Sequence, residues 1–134
     1  MTRTVLFLLL TACSTTPDAA PSDGPDPTTV TAPLANVSVD DVAAMPQAER
    51  IVVDVRTDGE WAGGHVPGAI HIPLSELEGR MSELEAHRDV EIYAICQSGG
   101  RSARAADTLA RSGFKVHNVL GGTGAWVAAG HPVE

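Results

Sequence analysis

The sequence is short of aromatic residues: two Trp, one Tyr and two Phe make up 4% of 134 residues. Its core must therefore be built from Val, Ile, Leu and Ala, whose small side chains let helices lie close to a sheet. Cysteine is scarcer still. Cys13 and Cys96 are the only two, which leaves no disulfide framework to staple a fold. Basic residues are outnumbered, nine Lys and Arg against 17 Asp and Glu, for a formal net charge of −8. Phosphate-backbone binding needs clustered Lys and Arg, so nucleic acid is disfavoured as a partner. A small anion held by the local field of a loop is not disfavoured. The five histidines, His65, His71, His87, His117 and His131, are scattered. None pairs with Cys or carboxylates at zinc-ligand spacing. Gly122-Thr123-Gly124 lacks the rest of a dinucleotide fingerprint. No metal or cofactor is expected.

The longest apolar run at the amino end covers residues 5–10, far below the roughly 20 residues of a membrane-spanning helix. With Arg3 before it and Leu10-Thr11-Ala12-Cys13 after it, this stretch reads as a secretory signal peptide over 1–12. Leu-Thr-Ala-Cys also resembles the lipobox of bacterial lipoproteins. That resemblance implies cleavage before Cys13, lipidation of its thiol, and a location on the cell envelope, periplasmic or otherwise outside the cytoplasm. Residues 13–35 hold Pro17, Pro21, Pro25, Pro27 and Pro33 among Ser, Thr, Asp and Ala. Such a composition cannot bury a core and predicts an extended, disordered linker. The folded domain is placed at 36–134.

Within it, a short strand is expected over 37–39, then a brief helix capped by Asp40 and stopped by Pro46. Ile51-Val52-Val53-Asp54-Val55 is an apolar run suited to a strand buried on both faces. Residues 57–64 read as a loop or single turn containing Glu60 and Trp61, and 69–72 as a short strand. Leu74, Leu77, Met81 and Leu84 keep helical spacing, interrupted near Gly79. A strand at 90–95 precedes a helix from about Ser102, with Ala103, Ala106, Leu109 and Ala110 inward and Gly113 as its C′ residue. Residues 115–119 form another strand. A last helix opens at Gly121-Gly122-Thr123-Gly124 and turns Ala125, Trp126 and Ala129 inward. Strands alternating with helices predict an α/β domain with a mainly parallel sheet, whose ligands bind beyond the carboxyl ends of the strands.

Cys96-Gln97-Ser98-Gly99-Gly100-Arg101-Ser102 sits at such an end. A thiol occupies the first position of a tight loop, and the glycines let the chain curl. Loop amides can turn inward as an anion-binding nest, and the following helix points its positive end at the same place. Arg101 adds a permanent charge. These features favour a thiolate, which is the nucleophilic form. A small buried Cys in a core is the alternative, but it has no need of Gly-Gly-Arg at a helix start.

The segment from about Val37 to His131 resembles a single-domain rhodanese. Asp54-Val55-Arg56, Glu60-Trp61, Gly64-His65-Val66-Pro67-Gly68-Ala69 and Ile72-Pro73 are similar to that family's amino-terminal signature. The Cys96 loop is similar to its active-site loop, and Gly121-Gly122 with Trp126 to its carboxyl-terminal element. The resemblance implies a three-layer α/β domain with about five central strands flanked by helices. It also implies a sulfurtransferase of the thiosulfate type. Cys96 would take the outer sulfur of thiosulfate or a persulfide donor and pass it from a persulfide to a thiol or cyanide. The amides from Gln97 through Ser98, Gly99 and Gly100 to Arg101 would hold the anionic sulfur. Arg101 would draw in the donor and brace the loop. Asp54, Arg56 and Glu60 would be structural, linking the loops around the site, and His65 would make a buried hydrogen bond. Two rival readings stand beside this one. The first is a Cys-dependent phosphatase or arsenate reductase, whose related loops are one residue longer than the six from Cys96 to Arg101. The second is a non-enzymatic module that carries a persulfide as a sensor.

Overall fold

Residues 35–134 are described by a computed structural model of the protein. The expected signal peptide, the lipidated Cys13 and all of the expected linker but Ala35 lie outside them. Strand β1, Ala35–Val37, is followed directly by helix α1, Val39–Ala43. Val39 is therefore helical rather than the end of a strand. The cap is Ser38, not Asp40: the Ser38 hydroxyl accepts from the Asp41 amide, and the Asp41 side chain reaches back to the Ser38 amide. This reciprocal capping box satisfies two otherwise unpaired amides. Asp40 instead lies 2.6 Å from His131 Nε2.

A single 3-10 turn, Gln47–Glu49, leads into β2, Ile51–Asp54. The stretch expected to be a loop or single turn holds the short helix α2, Asp58–Ala62, again closed by a capping box, here Thr57 with Glu60. Strand β3 is only Ile70–His71. The next segment is interrupted near Gly79 as expected: the one-turn helix α3, Leu77–Arg80, gives way just after it to a 3-10 helix, Met81–His87, and a further 3-10 turn, Leu74–Glu76, precedes it. Strand β4, Glu91–Ile95, helix α4, Gly100–Arg111, strand β5, Lys115–Val119, and helix α5, Gly122–Ala128, complete the described chain.

The five strands form one parallel sheet in the order β1-β5-β4-β2-β3. Side chains of β4 alternate across it. Ile92, Ala94 and Cys96 join one core cluster with Leu77, Leu84, Ala105, Ala106 and Leu109. Tyr93 and Ile95 join the other with Val39, Val42 and Trp126. Helices thus cover both faces, giving three layers.

Two inward assignments are corrected. Ala103 is exposed, and the buried stripe of α4 is Ser102, Ala105, Ala106, Leu109 and Ala110. That stripe keeps the i, i+3, i+4, i+7 spacing with Ser102 as its first member. Ala129 is exposed because α5 ends at Ala128, while Trp126 is fully buried and donates its indole N–H to the Pro132 carbonyl at 2.8 Å.

Candidate active site

The parallel sheet delivers Cys96 just past the carboxyl end of β4, flanked by β2 and β5. The chain then turns within three residues into α4, which requires Gly99 at φ +107° as the residue before the first helical turn. An L side chain pays for that backbone region with a clash between Cβ and the following carbonyl. The turn aims main-chain N–H groups at the sulfur: the Gly99 amide donates to Cys96 Sγ at 3.0 Å.

The Ser102 hydroxyl, fully buried one turn into α4, lies 3.4 Å from the same sulfur. Burial is the largest single influence on the Cys96 thiol and pushes it up. Hydrogen bonds from the Ser102 side chain and from the Ser102, Gly99 and Ser98 amides together outweigh burial, so the thiol ionises below its ordinary value. Gln97 and Ser98 are exposed at the lip of the loop, and Gly100, also exposed, opens α4 with nothing within 4 Å of where a Cβ would stand.

The loop is held from behind by α5. Thr123 N–H donates to the Cys96 carbonyl at 2.7 Å, and Gly124 N–H to that of Gln97 at 3.0 Å. Gly122, at φ +57°, permits this approach, since a Cβ there would lie 2.2 Å from the Cys96 carbonyl oxygen. Gly122 of the carboxyl-terminal element thus acts on the cysteine loop through the backbone.

Arg101 does not point a free charge at the sulfur. Both of its terminal nitrogens pair with Glu60, at 2.7 and 2.6 Å. Glu60 also accepts from the Thr57 amide and hydroxyl. The Arg101 hydrogen bonds, opposed by partial burial and reinforced by those of Thr57, bring the Glu60 carboxyl down to about 2. The guanidinium therefore ties α4 to α2. Deeper in, Asp54 is wholly buried and grips Arg56 through Nε at 3.0 Å and a terminal nitrogen at 2.7 Å. That same Arg56 nitrogen donates to the Gly64 carbonyl at 2.8 Å. This pair fixes the end of β2 to the loop after α2.

His65 is half-buried. Its Nδ1 lies 3.2 Å from the Trp61 carbonyl, and its ring stacks on Trp61 at 3.5 Å, with His71 on the same indole at 4.6 Å. A cleft of about 380 Å³ opens beside the loop, walled by Arg56, Glu60, Gly64, Gln97, Thr123 and Val127.

Three contributors carry little signal in the sequence. Ser102 reads there as one more residue of the loop. Asn118 reads as an ordinary strand residue. Thr57, as the cap that holds Glu60, was legible in Thr57-x-x-Glu60, the spacing of a capping box. Among the described residues, no group of three or more His, Cys, Asp or Glu is arranged to hold a metal ion, and no helix is long and apolar enough to cross a membrane.

The profile of the Rhodanese-like domain family matches residues 38–129, more than half of the chain. A protein from Allochromatium vinosum named sulfurtransferase is 42% identical over 84 residues, covering 62% of this chain and 77% of that protein. A Bacillus subtilis relative whose name includes sulfur carrier protein is 47% identical over 76 residues, or 56% of this chain, but the match spans only 40% of its length. A second Bacillus subtilis relative is matched over 59% of its length, so the chain spans less than two thirds of both. The crystal structure of a rhodanese-related protein from Thermoplasma volcanium aligns with a TM-score of 0.69 at 33% identity, covering 75% of this chain and 97% of that one. Strand order, the cysteine at the end of β4 and this sequence match agree, and the chain belongs to the rhodanese-like domain family.

Proposed function

We propose that the domain is a sulfurtransferase that works through a persulfide on Cys96. The Sγ thiolate attacks the outer sulfur of a sulfane donor such as thiosulfate. The donor S–S bond breaks, sulfite leaves with the bonding pair, and Cys96 holds the transferred sulfur. A thiol or cyanide then attacks that outer sulfur, and the Cys96 thiolate is the leaving group. No general base is required when the thiolate is already formed. The observation that carries this reading is one buried sulfur that receives the Gly99 amide at 3.0 Å and has the Ser102 hydroxyl 3.4 Å away. Charge developing there is met by groups that need not reorganise.

The placement of Arg101 favours sulfur over phosphate. A loop that grips a phosphate through its arginine needs the guanidinium fork facing inward, and here the fork is engaged by Glu60.

The test is the intact mass of the purified domain after exposure to thiosulfate. One added sulfur atom is expected on the wild type and none on Cys96→Ser, with cyanide removing the sulfur as thiocyanate. An unchanged wild-type mass overturns the reading, and aryl-phosphate hydrolysis in its place establishes the phosphatase. Repeated thiocyanate release separates an enzyme from a carrier that loads once. The lipid anchor at Cys13 is a companion proposal resting on Leu10-Thr11-Ala12-Cys13; mass analysis of the mature amino end decides it, and an unmodified Met1 removes it.

A further inference from the structure

The Ser102 hydroxyl has one proton and three acceptors around it: Asn118 Oδ1 at 2.7 Å, the Gly99 carbonyl at 3.1 Å and Cys96 Sγ at 3.4 Å. A hydroxyl donates once and accepts twice. With Asn118 Oδ1 turned toward it, the shortest contact takes the proton, and an oxygen lone pair is left facing the sulfur. Turned over, the Asn118 amide fills the same space but presents Nδ2. It then donates to Ser102 Oγ, and the hydroxyl proton is left with the Gly99 carbonyl at 3.1 Å and Sγ at 3.4 Å, of which the anionic sulfur is the stronger acceptor.

The outer end of the chain permits this reversal. Asn118 Nδ2 donates to Asn36 Oδ1 at 3.2 Å, and Asn36 is its direct partner in the β1–β5 register. Asn36 is exposed, so its own amide is free to turn and donate in exchange. Asn118 is 5% exposed, and it has no part in the transfer step described above.

We propose that Asn118 is a positioning residue for the reactive sulfur, whose side-chain amide, turned with Nδ2 toward Ser102, relays hydrogen bonding from Asn36 through Ser102 Oγ to Cys96 Sγ. Each donor in such a chain polarises the next. The arrangement rests on the thiolate reading above and adds a control on it from β5 and β1, two strands away from the loop's own amides.

The experiment is the pH profile of Cys96 alkylation by iodoacetamide in the folded protein, which requires no sulfur donor. Asn118→Leu can neither donate nor accept. The variant removes the donor that polarises the Ser102 bond to the sulfur and leaves that bond itself, so the midpoint should rise by about 0.3 pH unit, or about twofold slower alkylation below the midpoint. If Asn118 instead takes the Ser102 proton away, the same variant lowers the midpoint, and that result or no change overturns the relay.

The double variant tests the route. In a Ser102→Ala background, Asn118→Leu should add nothing, whereas independent effects would add and would refute transmission through Ser102. Asn118→Val, suited to a strand, serves the same readout if Asn118→Leu fails to fold. A wild-type midpoint at the ordinary cysteine value defeats the thiolate reading itself. A depressed wild-type midpoint unmoved by the Asn118 variants defeats only this inference.

Discussion

Replacing Gly122 by Ala tests whether α5 sets the shape of the cysteine loop. Two costs can be separated. Gly122 sits at φ +57°, and an L residue in the left-handed region pays about 1–2 kcal/mol. Its new Cβ would also lie 2.2 Å from the Cys96 carbonyl oxygen and 2.7 and 2.8 Å from the Gln97 carbonyl carbon and oxygen. These are backbone atoms with no rotamer to swing away, so the loop itself must move, at an overpacking cost of about 1–3 kcal/mol.

The sum is about 3 kcal/mol, which at roughly 4–8 °C per kcal/mol for a domain of this size lowers Tm by about 15 °C. Gly130→Ala supplies the first cost alone. Its φ is +82° with nothing within 4 Å of the added carbon, and about 1–2 kcal/mol is expected. Gly100→Ala carries neither cost and should be neutral or stabilising by up to about 1 kcal/mol.

The chemical arm follows from the same contacts. The Cys96 and Gln97 carbonyls are held by Thr123 and Gly124 amides, so pushing them away tips the adjoining peptide planes and disturbs the aim of the Ser98 and Gly99 amides. Thermal melts and the alkylation midpoint of Cys96 should therefore both change in Gly122→Ala. A variant that melts with Gly130→Ala and alkylates with the wild-type midpoint refutes the reasoning.

Two further predictions concern the ion pairs around the loop. The Glu60 carboxyl is lowered from 4.5 to about 2, first by Arg101, so its contribution is present above pH 4.5 and is lost as pH falls toward 2. Both partners are about one third exposed, and screening limits the pair to about 1 kcal/mol. Urea melts should show Glu60→Gln weaker than wild type by that amount at pH 7, the gap closing on acidification; a gap that widens contradicts the assignment. Arg56→Met leaves the wholly buried Asp54 without its partner, and removing one member of a buried pair costs about 3–5 kcal/mol. Asp54→Asn combined with Arg56→Met should recover part of it, and a single-variant loss below about 1 kcal/mol would show that the pair does not anchor β2 to the Gly64 loop.

What could be read from the sequence was whatever local pattern decides. Strand β5 falls on residues 115–119 as expected, and β4 begins one residue later than expected, because the apolar run of β4, and Val116 and Val119 of β5 between Gly113 and Gly121, leave little choice. The placement of a cysteine after a buried strand and before a helix was likewise legible from order alone. Other features depend on partners far along the chain. Asp40 and Ser38 are both good cap residues, and the choice turned on Asp41 closing the box behind Ser38 while Asp40 faced His131. Ala103 and Ala105 are equivalent in an alanine-rich helix until the sheet selects a face. Asn118 carries no signal of its importance, since its neighbours come from α4 and β1, 16 and 82 residues away.

The all-parallel sheet gives the domain a polarity. Every strand enters at one end and leaves at the other, and β1 joins part-way along, with Ala35 level with His117 of β5 and Tyr93 of β4. At about 3.3 Å per residue, roughly 10 Å of sheet separates that level from Cys96. A load applied to the chain upstream of Ala35 would bear on the β1 edge of the sheet and not on the end that carries the cysteine loop.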